Sequence, residues 1–223
     1  MDCWEELAHA FTPGGDRLTL RRRNGVFEIR FNGWEVMSSR MSLSEAVLAR
    51  MVSQDLPRTG ARVLIGGLGM GYTLRAMLDR ASPDARIIVS ELVPAVVTWN
   101  RGPLASLAGR PLEDDRVEIQ CSSVIDTLAV CEHSLDAVLL DVDNGPEAVL
   151  YEPNRLLYAA QGVDLAKRAL APAGILGLWS ADRSPDFEGT LNAAGMNWRR
   201  ETVEIPAGSR GIEHTIYLAR PRR

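Results

Sequence analysis

The segment Val63-Leu-Ile-Gly-Gly-Leu-Gly-Met-Gly-Tyr-Thr73, followed by Ile87-Ile-Val-Ser-Glu91, constrains the fold of this chain more than any other part of it. Val63, Leu64 and Ile65 make an unbroken apolar run, which predicts a strand covered on both faces, as in a parallel sheet. Gly67, Gly69 and Gly71 follow as a G-x-G-x-G turn, where the missing side chains allow positive φ and close approach to the backbone. The spacing of Leu74, Met77 and Leu78 predicts a helix over 73–80. Glu91, at the carboxyl end of the next apolar run, is placed to accept hydrogen bonds from both hydroxyls of a ribose.

The rest of the chain repeats this rhythm. A helix is expected over 94–101, strands at Arg116–Gln120 and Leu135–Asp141, a helix over 154–170, a turn and strand over Pro172–Trp179, and a helix over 186–194 closed by Gly195. The segments 198–205 and 214–218 read as a terminal antiparallel pair. Strands that are nearly all apolar, alternating with helices, specify an α/β fold: a Rossmann-like, doubly wound, mostly parallel sheet. Ahead of it, residues 4–11 read as a short helix. Residues 17–38 alternate apolar and polar around Asn24-Gly25 and Asn32-Gly33, the signature of a three-stranded antiparallel meander. Ser42–Val52 reads as a helix with Ser42 and Glu45 in a capping box. The expected organisation is residues 1–41 as an N-terminal helix and small β unit, and residues 42–223 as a nucleoside-binding domain.

Composition excludes several classes. The 223 residues carry a formal charge of −4 with acids and bases mixed, so no continuous basic surface awaits nucleic acid. Cys3, Cys121 and Cys131 are odd in number and lack metal-ligand spacing, and His9, His133 and His214 form no i, i+4 pair, so no metal is expected. The N-terminus lacks the order of a signal peptide and no apolar run approaches ~20 residues, so a cytoplasmic protein without membrane attachment is expected. Neither a G-x-S-x-G elbow nor a Walker-type loop occurs.

In the glycine turn the third glycine comes one residue earlier than in a dinucleotide fingerprint, and Met70 and Tyr72 are bulky. That spacing suits S-adenosylmethionine, whose amino-acid tail rather than a pyrophosphate faces the turn. Glu91, Ser122, Ser123 and Asp141 all fall at the carboxyl ends of expected strands, where ligands bind in such sheets. Asp141 and Asp143 bracket one residue, which on an extended segment turns both carboxylates the same way. They are the candidate catalytic pair, one as a base for an amine and the other steering a cationic acceptor; an Asx turn at Asp143 is the alternative. Tyr151 and Tyr158 flank Pro153 at the mouth of the crevice and are candidate substrate contacts, while packing is the commoner role for such aromatics. Trp179, Ser180 and Asp182 share the rim, and His214 is expected to be structural.

In their order and spacing, these motifs resemble the spermidine-synthase-like group of the class I S-adenosylmethionine-dependent methyltransferase fold, over roughly residues 17–180. The resemblance rests on the N-terminal β unit, Ser42-Leu-Ser-Glu45 before the domain, the glycine turn, Glu91, Asp115-Arg-Val-Glu-Ile and Leu139-Leu-Asp-Val-Asp-Asn-Gly-Pro146. It implies a transferase in which Glu91 holds ribose, Cys121-Ser-Ser123 lines the adenine, and Asp141 orients and deprotonates an amine. It also implies a homodimer formed through the β unit. Gly69 stands where aminopropyltransferases carry an amine-binding aspartate, and Ser123 where they carry an aspartate at the adenine. On this reading the expected donor is intact S-adenosylmethionine, with transfer of a methyl or aminocarboxypropyl group to a small amine. Aminopropyl transfer from the decarboxylated donor is one alternative, and a non-catalytic nucleoside-binding module is the other.

Overall fold

A computed structural model describes residues 3–40, 43–205 and 211–222. Two sheets organise them. The first is antiparallel, in the order β1-β2-β3-β4, with β1 Glu5–Phe11, β2 Arg17–Arg23, β3 Val26–Phe31 and β4 Trp34–Ser38. Its two tight hairpins turn where the sequence expects them: Asn24 and Gly25 have φ of 50° and 77°, and Asn32 and Gly33 of 47° and 86°. Two consecutive residues of positive φ match the twist of the strands they join.

The helix expected over 4–11 is instead β1. Glu5 and Glu6 lie opposite Arg22 and Arg21, Glu5 pairs with Arg22 and Glu6 with Arg17, and the Trp4 ring stacks beneath the guanidinium groups of Arg21 and Arg23. The arginines of β2, paired with the acids of β1 and stacked on Trp4, override a helical spacing that has no partner of its own.

The second sheet has seven strands in the order β10-β11-β9-β8-β5-β6-β7. Here β5 is Arg62–Gly66, β6 Arg86–Ser90, β7 Val117–Gln120, β8 Leu135–Leu140, β9 Leu170–Ser180, β10 Met196–Ile205 and β11 Ile212–Pro221. Strands β5 to β9 run parallel, while β11 returns antiparallel against β9 and β10. Successive residues of β5 face opposite sides. Val63 and Ile65 join one core with helices α1 (Leu43–Ser53), α2 (Tyr72–Leu78) and α3 (Pro94–Arg101). Leu64 joins the other, with α4 (Val124–Val130), α6 (Ala160–Ala169) and α7 (Pro185–Ala193). Because β5 pairs with both β6 and β8, the chain reverses its winding there, and a crevice opens above the carboxyl ends of those strands.

Two further differences have physical causes. Helix α4 lacked any expectation; its seven residues are capped by Ser123, whose Oγ accepts from the Ile125 amide at 3.2 Å. The helix expected over 154–170 is broken into α5 (Arg155–Tyr158) and α6 by Ala159, which is extended at φ −85° and ψ 169°. Gly162 permits the break by packing against the Leu157 backbone, where a Cβ would overlap the Leu157 Cα and the Leu156 carbonyl. The N-cap expected at Ser42 lies outside the described residues. Among those residues, no helix is long and apolar enough to cross a membrane.

The inner face of the small sheet, Leu18, Leu20 and Ile29, merges with the core under α1 and α2. The first sheet therefore roofs the crevice of the second.

Candidate active site

Roof and crevice enclose a cavity of about 380 Å3, within the usual range for a small-molecule site. Its floor is the set of turns after β5, β6 and β8, one side is α1, and the roof includes Leu18, Ile29, Phe31 and Met37.

The glycine turn is shaped by contacts as well as by conformation. Gly67, Gly69 and Gly71 have φ of 87°, 51° and 83°. A Cβ on Gly67 would overlap the Asp141 carbonyl oxygen, so only glycine lets the β5 turn close on the end of β8. Buried Asn100, on α3, fastens the turn by donating Nδ2 to the Gly69 carbonyl at 2.8 Å. At Gly69, a Cβ would lie 2.8 Å from the sulfur of Met37, which descends from β4 and accepts from the Met70 amide at 3.2 Å. The sulfur fills the space that a side chain at 69 would need. Four amides of the turn are engaged internally: Gly67 donates to Ser90, Leu68 to Glu91, Met70 to Met37 and Gly71 to Leu68.

Glu91 is buried, and its oxygens accept from the Leu68 amide at 3.0 Å and the Val93 amide at 2.8 Å. Burial raises its carboxyl above the ordinary range, and these amides partly oppose the rise. The lone pairs that the backbone amides leave free are open to a donor in the cavity. Ser123 lines the cavity beside Val124 while capping α4. Ser122, expected beside it, faces away: its hydroxyl bonds with Thr127 and approaches Ser90 in a network behind the strand ends.

Asp141 lies at the centre of the floor. Its Oδ2 accepts from the Thr73 hydroxyl at 2.5 Å, and burial raises its carboxyl to about 6 despite that bond. Glu45, from α1, lines the same cavity and is buried, with Oε2 accepting from the Ser44 hydroxyl at 2.8 Å. Burial, and then the nearby charge of Asp141, push Glu45 to about 7. The capping-box reading had assigned Glu45 to a helix end. Its position relative to buried Leu48 and Val52, three and seven residues on, was a readable signal that this acid lies on the apolar face of α1.

Asp143 corrects the expected geometry. It has φ of 55°, so the segment is not extended and the two carboxylates do not point together. Its Oδ1 accepts from the Leu150 and Tyr151 amides at 3.2 and 3.1 Å, and its Oδ2 from Asn154 Nδ2 at 2.9 Å. Asp143 thus ties down the loop over 144–154 along the cavity wall, the Asx-type role, and has no free oxygen comparable to that of Asp141.

Tyr151 lines the cavity, beside the turn at Gly14. Tyr158 does not: it is 7% exposed, packs edge-on against Phe187, and donates its hydroxyl to the Val142 carbonyl at 3.0 Å. His214 lies on the expected terminal strand, β11, paired with β10. It lines the cavity and meets Trp179 edge-on, with ring centroids 4.9 Å apart, and burial holds its imidazole below the ordinary value.

The electrostatic outcome is one-sided. Glu35, Glu45, Glu91, Asp141 and Asp143 line the cavity, and among the described residues no lysine or arginine does. An enclosed wall of one sign favours a ligand of the other. The described residues contain no group of three or more His, Cys, Asp or Glu arranged to hold a metal ion.

No protein-family model and no curated protein matches this sequence. Solved structures do match in shape. A spermidine synthase in complex with the transition-state analogue AdoDATO is 16% identical, with 96% of this chain and 71% of that one covered and a TM-score of 0.75. The spermidine synthase of Thermotoga maritima is 16% identical over 96% and 72%, at 0.74. A probable spermidine synthase from Corynebacterium glutamicum is 14% identical over 96% and 79%, at 0.63. In architecture, then, this chain has the spermidine-synthase-like form of the class I methyltransferase fold.

Proposed function

We propose that the cavity transfers an aminopropyl group from decarboxylated S-adenosylmethionine to a small amine, with Asp141 as the base. The observation that carries this reading is the set of five cavity carboxylates, with no lysine or arginine lining the cavity among the described residues. A sulfonium donor and a protonated amine are both cations and gain from such a wall. An intact donor brings a carboxylate, which finds repulsion from Asp141 and Glu45, and most amides of the glycine turn are already engaged. The structural neighbours that are spermidine synthases, one of them bound to AdoDATO, point the same way. This reverses the preference for an intact donor drawn from Gly69. The absent side chain there accommodates Met37 and carries no preference for a donor carboxylate.

The parts divide as follows. The free lone pairs of Glu91 suit a ribose diol, and Ser123 with Val124 bounds the base. The donor supplies an already activated carbon: a C–N bond forms to the amine, the C–S bond breaks, and the neutral thioether leaves. Asp141 takes the proton that the amine nitrogen must lose, its position fixed by Thr73. The roof of Leu18, Ile29 and Phe31 keeps water from the reacting atoms. Residues 144–154, anchored by Asp143, present Tyr151 to the acceptor.

The test is product identity. The chain is incubated with a diamine and either donor, and the leaving thioether is identified by mass spectrometry. Methylthioadenosine from the decarboxylated donor supports aminopropyl transfer. S-adenosylhomocysteine from the intact donor would replace it with methyl transfer, and no release from either would leave only a binding module.

A further inference from the structure

Glu45 occupies a place that the fold gives up from its core. Its neighbours at Leu48, Ala49 and Val52 are fully buried, yet this position on the same helix face carries an acid aimed at the cavity. It accepts from Ser44 and forms no ion pair among the described residues. Asp141, which lines the same cavity, is held by Thr73 and likewise forms no ion pair among the described residues. At the glycine turn, the Met37 sulfur fills the position from which a side chain at 69 could reach a ligand. An ammonium group entering the cavity therefore meets two carboxyl groups, Glu45 and Asp141, close enough for the Asp141 charge to act on Glu45.

We propose that Glu45 grips the substrate ammonium group, forming with Asp141 a carboxyl pair that holds one proton when the cavity is empty and releases it when a cation enters. The inference rests on the reading of the cavity as a site for cationic amines, and it adds the residue and the proton exchange. The balance is simple. One carboxylic acid and one carboxylate become two carboxylates around an ammonium, and one proton goes to solvent.

The surrounding groups are consistent with this. Tyr72, at the start of α2, faces Glu45, and burial followed by the Glu45 charge raises its hydroxyl, so it stays neutral. On the β11 side, burial lowers the His214 imidazole below its ordinary value, with the Asp182 charge opposing. Glu35, Glu91, Asp143 and Tyr151 complete the wall and add no positive charge. Burial of two like-charged groups in one enclosure favours sharing a proton until a counter-charge arrives. The values of about 7 for Glu45 and about 6 for Asp141 place that exchange near neutral pH.

The experiment is calorimetric titration of the full chain with 1,4-diaminobutane at pH 6.5, in two buffers of different ionisation enthalpy, so that the proton count is read directly. The expected result is release of about one proton per diamine bound, fading above about pH 8.5. Glu45→Gln should remove most of that release and weaken diamine binding about tenfold or more. It should leave binding of neutral methylthioadenosine unchanged, which reports a folded site. Glu45→Asp should retain the release. Absence of diamine binding, binding without proton exchange, or release undiminished in Glu45→Gln would overturn the proposal. Proton release without transfer from either donor would refute the proposed function and leave this inference standing; transfer without proton release would do the reverse.

Discussion

Removing the Glu45 charge should stabilise the ligand-free protein at alkaline pH. Glu45 titrates at about 7 in the fold against an ordinary 4.5. A group with a raised folded value contributes stability that is fully present below about pH 4.5 and lost as pH rises through about 7, because the folded state must then give up a proton it held more tightly. A rise of about two and a half units at about 1.4 kcal/mol each amounts to roughly 3 kcal/mol, an upper bound because Asp141 shares the titration. Gln has the same shape and keeps an acceptor for the Ser44 hydroxyl. Glu45→Gln should therefore lie within about 1 kcal/mol of the parent at pH 5. At pH 8.5 it should be more stable by up to about 3 kcal/mol, or roughly 6–12 °C in Tm for a chain of this size. Thermal unfolding followed by circular dichroism at both pH values measures this. A loss of stability at pH 8.5, or an equal shift at both pH values, would refute the placement of a strained acid on the apolar face of α1.

The other expectations follow from the same geometry. Asp141→Asn should lower turnover by about 10²–10⁴-fold and leave methylthioadenosine binding intact, as measured by steady-state kinetics beside calorimetry. Gly69→Asp should clash with Met37 and cost about 1–3 kcal/mol in a denaturant titration, while Met37→Ala in the same chain should recover most of the loss. Tyr158→Phe should cost about 1–2 kcal/mol by stranding the Val142 carbonyl and leave kcat unchanged, since its hydroxyl faces the loop backbone and not the cavity. Asp143→Ala should raise amide exchange across 144–154 with little effect on adenosine binding, because its oxygens hold that loop.

What was legible in the sequence was governed by local patterns. The runs Val63–Ile65, Ile87–Val89 and Leu135–Leu140 are apolar because both faces of their strands are covered, so they named the parallel sheet directly. The glycines and Glu91 sit where strand ends converge, and that too is a rule of topology. What was not legible depended on partners distant in sequence. Residues 5–11 form a strand only because β2 supplies arginines opposite their acids. Ala159 breaks a helix because the Leu157 backbone lies against Gly162. Asp143 differs from Asp141 through a positive φ that the pattern Asp-Val-Asp does not encode. Glu45 fitted a local capping motif so well that its larger role was hidden, although an acid in register with Leu48 and Val52 was the clue.

The claim that ties these observations together is that the cavity is built for cations and has no place for a donor carboxylate. Calorimetric titration with decarboxylated S-adenosylmethionine, intact S-adenosylmethionine and methylthioadenosine, at pH 7.5, tests it most directly. The decarboxylated donor should bind most tightly, by about tenfold or more over the intact donor, equivalent to about 1.4 kcal/mol. Methylthioadenosine should bind measurably through the Glu91 and Ser123 end alone. Tighter binding of the intact donor, or no binding of any of the three, would contradict the account.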